Sequence, residues 1–206
     1  MVIPGAGRVG RASATLVWVA IALVLADVVA YRAILGGQGG PPPDSAAVVP
    51  FAGGYMLLMA ALLGFSLLGN PRVVMLRPAM LAAAAAGLLL LGFFALFSIG
   101  LPLGVAGILS AITAIRSLGG RAGKRAMLSE VAGAVIALIV LLGGFEVTQR
   151  IIVCPPTGTM AGSSGFLTGP YHYRCDNGTL TWYSGDCNGV TGGVDANGNP
   201  ISSNGC

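Results

Sequence analysis

The chain has 206 residues, of which 55% are hydrophobic and 9% charged, with a mean hydropathy of +0.84 and a formal net charge of +4. A soluble domain carries about 25% charged residues, so this supply excludes a water-solvated surface over the whole chain. No basic patch is interleaved with aromatic residues, which excludes a nucleic-acid footprint and makes the positive charge information about membrane orientation instead.

In chain order, the first apolar segment spans about residues 12–35 and is broken by the Gly/Pro-rich stretch 36–43. The second spans about residues 48–69 and stops at Asn70-Pro71. The apolar region from Ala79 to Ile115 would be roughly 55 Å long as one helix, nearly twice a hydrocarbon core of about 30 Å. It is therefore expected to be two spans, at about 79–98 and 101–117, folded at Ser98-Ile99-Gly100-Leu101-Pro102. A fifth span is expected at about 130–153, so that residues 1–153 form a transmembrane helical bundle and 154–206 a separate tail. Usage dominated by Ala, Gly, Val and Leu, with Arg for all but one of the 11 basic residues, points to a GC-rich bacterial genome.

Charge distribution bears on the count independently. Arg8 and Arg11 precede the first span, Arg72 and Arg77 lie between the second and third, and Arg116, Arg121, Lys124 and Arg125 lie between the fourth and fifth, while 36–47 and 98–103 carry no basic residue. Basic residues accumulate in cytoplasmic loops. Five spans put all of these inside, leave the N-terminus cytoplasmic and deliver the tail to the extracytoplasmic side, where cysteines oxidise. Four would reverse the most basic loop and leave the cysteines reduced. A cleaved signal peptide is the alternative for the start, with small residues around Val29-Ala30-Tyr31-Arg32-Ala33, but the apolar run exceeds the usual 7 to 15 residues.

Small residues recur at four-residue spacing in the fourth span (Ala106, Ser110 and Ala114, beside Gly107 and Ala111) and in the third (Ala82 with Ala86, Ala83 with Gly87). Such faces let backbones approach closely in lipid; chance spacing in an Ala/Gly-rich chain is the rival. Gly143-Gly144 is a candidate for local loosening of the last span. Four ionisable residues, Asp27, Arg32, Glu146 and Arg150, fall in the outer halves of spans, where a charge needs a partner or water. Glu146 and Arg150 have i, i+4 spacing, and a cluster pairing Asp27 with Arg150 and Arg32 with Glu146 is expected. The functional alternative is a proton or cation path through Asp27 and Glu146.

The tail is rich in Gly, Ser, Thr and Asn and contains every cysteine: Cys154, Cys175, Cys187 and Cys206. Two disulfides are expected, with three pairings open; zinc is disfavoured without Cys-x-x-Cys and with only His172. Asn177-Gly178 favours a type I′ turn, which predicts a hairpin with Cys175 opposite Leu180 and Tyr173 opposite Trp182. Tyr171, Tyr173, Cys175, Leu180 and Trp182 then share one face, and His172, Arg174, Thr181 and Tyr183 the other. The aromatic face of Tyr171, Tyr173, Leu180 and Trp182 has three uses to weigh: packing on the disulfides, resting at the membrane interface, or binding a partner.

Asp195-Ala-Asn197-Gly-Asn199 resembles the start of a calcium loop but has Pro200 and Cys206 where Gly and Glu are needed, so a plain turn is expected. Asn177-Gly178-Thr179 matches a glycosylation sequon that a bacterial host leaves unused. Gly119-x-x-x-Gly123-Lys124-Arg125 is too short for a phosphate loop and lacks the following Ser/Thr. His172 has no evident orienting partner for nucleophilic catalysis, and haem held by paired histidines is excluded, so no cofactor or catalytic residue is expected.

Leu101-Pro-Leu-Gly-Val-Ala-Gly-Ile-Leu-Ser110, then Ala114-Ile-Arg-Ser-Leu-Gly-Gly-Arg-Ala-Gly-Lys-Arg-Ala126 and on to Ala132-Gly133, resembles a two-helix membrane hairpin of unknown function frequent in actinobacterial proteins. In that family an apolar helix ending in Ala-Ile-Arg-like residues joins a Gly/Ala-rich helix through a Gly/Arg loop. The resemblance covers about 45 residues, 101–145, departs at Ser129-Glu130, and implies no activity. The expected protein is an all-α, five-helix membrane bundle with a disulfide-stapled β-hairpin tail. It would be a non-enzymatic envelope component contacting the lipid bilayer and other membrane or envelope proteins. A small transporter or channel subunit is the alternative, and a membrane-embedded enzyme the third reading.

Overall fold

The computed structural model describes residues 11–37, 46–96, 100–118, 124–165, 167–169, 171–184, 193–194 and 200–201. Among these residues are five long apolar helices: α1 (Arg11–Gly37), α2 (Val48–Ser66), α3 (Pro71–Phe94), α4 (Gly100–Leu118) and α5 (Lys124–Gln149). Each contains a stretch long and apolar enough to cross a membrane. Strands follow: β1 (Thr159–Ser164), β2 (Tyr171–Asp176), β3 (Thr179–Ser184), and the two-residue β4 (Gly193–Val194) and β5 (Pro200–Ile201). The contact pattern divides the chain into two units, one comprising Met1–Pro41 with Val48–Phe145 and the other Pro42–Ala47 with Glu146–Cys206.

In the helical unit, buried residues repeat at helical spacing. On α1 they are Val17, Ala20, Ile21, Val24 and Asp27; on α2, Ala52, Tyr55, Met56, Met59, Ala60, Leu63 and Ser66. The opposite faces are also apolar, with Trp18, Phe65, Met75, Phe93, Ile115 and Ile139 all exposed. A helix apolar all round and only partly buried by its neighbours has the surface that lipid, not water, solvates.

Close packing depends on small residues. A Cβ at Gly92 would meet the Gly104 backbone nitrogen at 2.8 Å, so α3 and α4 approach backbone to backbone. Ala106, Ser110 and Ala114 are buried, as are Ala83 and Gly87, whereas Ala82 and Ala86 are half-buried. Gly87 leaves the space through which the Tyr55 side chain passes, and the Tyr55 hydroxyl donates to the Ala137 carbonyl of α5 at 2.9 Å. Gly144 does not loosen α5. A side chain there would strike the Phe51 ring, which packs edge-on against Phe145. The buried hydroxyls of Ser66, Ser110 and Thr113 donate to carbonyls of their own helices, at 2.7, 2.8 and 2.8 Å, so their burial leaves no donor unpaired.

Helix limits depart most from the expected spans at the start of α3 and at the two ends of α5. α3 begins at Pro71 rather than at Ala79, because Arg77 has a structural use within the helix. Its guanidinium donates to the Ser66 and Leu68 carbonyls, at 2.6 and 3.1 Å, and caps the end of α2. Pro78, which marks a break in a soluble helix, lies inside α3. α5 begins at Lys124 and ends at Gln149, where Arg150 and Ile151 donate to the Val147 and Thr148 carbonyls in a tightened final turn.

In the second unit the main sheet has three antiparallel strands in the order β1-β2-β3, one more than the hairpin expected. The β2–β3 register pairs Cys175 with Leu180 and Tyr173 with Trp182. Asn177 and Gly178 both adopt positive φ, 46° and 83°, as the type I′ turn requires. The added strand, Thr-Met-Ala-Gly-Ser-Ser, is poor in β-branched and aromatic residues. It is held where the Asn177 side chain accepts from the Gly158 N–H at 3.1 Å and the Asn177 N–H donates back to the Gly158 carbonyl at 3.0 Å.

Candidate functional site

Among the described residues of the second unit, the densest polar cluster is built around Glu146 and Arg150. Helical spacing puts Glu146 and Arg150 on one face, and the Arg150 guanidinium donates to Glu146 Oε1 at 3.1 Å. The loop between β1 and β2 supplies two more donors to the same carboxylate. The Thr168 hydroxyl donates to Oε1, and the Leu167 N–H donates to Oε2 at 3.0 Å. Arg150 also donates to Thr168 Oγ1, closing a three-membered ring of charge-assisted bonds.

The loop is shaped for this. Gly165 and Gly169 both have positive φ, 123° and 90°, and a Cβ on Gly165 would fall on the Gly169 carbonyl, so the chain pinches at its base and projects Leu167 and Thr168 from the tip. Glu146 is only 7% exposed. A carboxylate held by a cation, a hydroxyl and a backbone N–H fastens the loop that carries those donors, because releasing any of them strands a polar group. The i, i+4 spacing placed Glu146 and Arg150 on one face, but the partners expected from sequence were Arg32 for Glu146 and Asp27 for Arg150, whereas Glu146 and Arg150 bond each other. Spacing gave no sign of Leu167 and Thr168, since a backbone N–H and a loop threonine carry no spacing signal.

Cys154, just after α5, is bonded to Cys175 in the middle of β2, so the sheet is tied to the segment leaving the helix by a second, covalent link. Cys175 has no exposed surface. Cys187 and Cys206 lie outside the described residues, as does the Asp195–Asn199 stretch.

The candidate partner face is partly closed by its own sheet. Tyr173 is buried because its ring lies across Gly162 of β1, where any Cβ would collide with it. Tyr171 and Tyr173 both meet the Trp182 ring at steep angles, with centroids 5.1 and 6.2 Å apart, and the Arg150 guanidinium carbon stands 5.6 Å from the Tyr171 centroid. Leu180 is half-buried and Trp182 remains 43% exposed. His172, Arg174 and Thr181 alternate onto the opposite face.

In the helical unit, Asp27 lies on the packing face of α1, 4% exposed, and its Oδ2 has no hydrogen-bond partner among the described residues. Arg32 is exposed on the same helix. Among the described residues no three His, Cys, Asp or Glu side chains gather as metal ligands. No protein-family model matches the chain, and comparisons with curated proteins and with solved structures return no match.

Proposed function

We propose that this chain is a non-enzymatic, five-span protein of the cell envelope, its N-terminus cytoplasmic and its tail outside, that presents the disulfide-bonded sheet to another membrane or envelope protein. The observation that carries the reading is the Cys154–Cys175 bond set directly after an apolar helix of spanning length. A disulfide persists in an oxidising compartment, and the distribution of basic residues assigns the same side to the tail. The Glu146–Arg150–Thr168 ring fixes the loop between β1 and β2 within the same unit as the sheet, which suits an interaction module.

Two measurements test this. A membrane-impermeant thiol reagent applied to intact cells should label the tail only after external reduction. Labelling that requires permeabilisation refutes the topology. A photo-crosslinking residue at Thr181, on the exposed polar face, should capture a discrete envelope protein in intact membranes; absence of any adduct, with the sheet shown to be folded, removes the interaction reading.

One observation favours a second reading. Asp27 is a buried carboxylate with an oxygen unpartnered among the described residues, and buried acids in spans mark ion or proton routes. Glu146, engaged by three donors, is a poor second station. Proteoliposomes whose proton or sodium flux is abolished by Asp27→Asn support transport; equal flux in parent, variant and empty vesicles ends that reading.

A further inference from the structure

We propose that Leu167 and the Trp182 edge of the sheet sit in the lipid headgroup layer, making the sheet an interfacial anchor for the end of α5. This rests on α5 spanning the bilayer. Headgroup layers add about 5 to 8 Å on each side of the hydrocarbon core. Glu146 is in the last turn of α5, and the Leu167 N–H is bonded to its carboxylate, so the loop tip is fixed at the level where the helix leaves hydrocarbon. There the Leu167 side chain is 54% exposed, with no polar atom to favour water over acyl chain.

The chain around it has the same character. Val147 on the last turn, then Ile151 and Val153 beyond it, are exposed without a polar side chain of their own. Arg150 is half-exposed and leads to Trp182 by way of the Tyr171 ring. Arg, Tyr and Trp in contact are the side chains that favour the boundary between water and hydrocarbon, the rings for their amphipathic edges and the Arg because its stem lies in apolar surroundings while its charge reaches phosphate. The other face of the sheet exposes Arg174, Asp176 and Thr181, which suit water. The sheet is therefore amphipathic, and its Trp182 edge is linked through Tyr171 to Arg150, the residue that follows α5.

The chain's two tryptophans make the test self-controlled. Trp18 is exposed on α1, within a spanning segment, and Trp182 is on the sheet. The full-length protein is reconstituted in vesicles of lipids brominated either near the headgroup or deep in the acyl chain, as parent, W18F and W182F. Emission from Trp182, read in W18F and independently as the difference between parent and W182F, should be quenched more strongly by the shallow bromines. Trp18, read in W182F, should be quenched by bromines at either depth. If Trp18 is quenched and Trp182 is untouched, the sheet stands clear of the bilayer and the anchor is refuted while the spanning helices survive. If neither is quenched, the spanning reading fails first and the anchor with it. Quenching of Trp182 only by deep bromines also overturns the proposal, since the sheet would then be buried rather than interfacial.

Discussion

Removing the Glu146 carboxylate gives the sharpest measurement. Glu146→Ala leaves the Leu167 N–H without an acceptor and the Arg150 guanidinium without its ion partner, while Thr168 loses one of its two bonds in the ring. A hydrogen bond to a charged group is worth about 1.5 to 3 kcal/mol, and these three share one acceptor and are not additive. Arg150 is half-exposed, so water recovers much of its loss. A local cost of about 3 kcal/mol for docking the β1–β2 loop follows, a factor on the order of 100 in its opening equilibrium. Because the disulfide and the β2–β3 register do not involve Glu146, the effect should be confined to the loop. Site-resolved hydrogen exchange in detergent micelles should show the Leu167 amide exchanging about 100-fold faster, with the Cys175 and Tyr173 amides nearly unchanged. Glu146→Gln, which keeps an acceptor for Leu167 but not the charge, should fall between. Leu167 exchange in Glu146→Ala equal to that in the parent would show that the ring does not hold the loop.

Three further outcomes follow from the packing. Gly144→Ala should destabilise the bundle by about 1 to 3 kcal/mol, because a Cβ there strikes the Phe51 ring, whereas its neighbour Gly143→Ala meets open space and should be neutral or slightly stabilising; thermal denaturation of both in one detergent decides it. Tyr55→Phe removes the hydroxyl that joins α2 to the Ala137 carbonyl and should lower the denaturation midpoint by the equivalent of about 1 kcal/mol, with no change in oligomeric state by size exclusion. Replacing both Cys154 and Cys175 by Ser opens a loop with a sequence separation of 21 residues and should cost the sheet about 3 kcal/mol, read as faster proteolysis between β1 and β3 under non-reducing conditions.

The sequence made some features recoverable because they follow from period and composition. Five apolar runs of bilayer length became five helices, and Asn177-Gly178 between alternating segments determined both the turn and the pairing of Tyr173 with Trp182. β1 escaped because its residues have little strand preference of their own. It exists because Gly162 makes room for the Tyr173 ring and Asn177 bonds Gly158, both of them contacts made by residues elsewhere in the chain. The start of α3 was obscured for a related reason. Arg72 and Arg77 read as loop charges that set orientation, yet Arg77 is also a helix residue whose fork closes the carbonyls at the end of α2.

The same distinction explains why the site emerged only in part. The i, i+4 spacing put Glu146 and Arg150 on one face without showing that they bond each other rather than Arg32 and Asp27, and their role depends on which further donors reach the carboxylate. Those donors are a main-chain N–H and a hydroxyl placed by the positive φ of Gly165 and Gly169. That arrangement alters the chemistry assigned to the residue. An acid in the outer half of a span, seen as sequence, is equally a proton station and a structural pair. An acid whose oxygens accept from a guanidinium, a hydroxyl and a peptide has most of its acceptor sites committed to the loop, so protonating it weakens the bonds that dock the loop. Asp27, buried on the packing face of α1 with an oxygen unpartnered among the described residues, is the acid of the pair on which the transport reading leans. Transport through Asp27 without Glu146 would therefore show Glu146→Gln with normal flux and Asp27→Asn with none, whereas flux lost in Glu146→Gln would show that it depends on the docked tail.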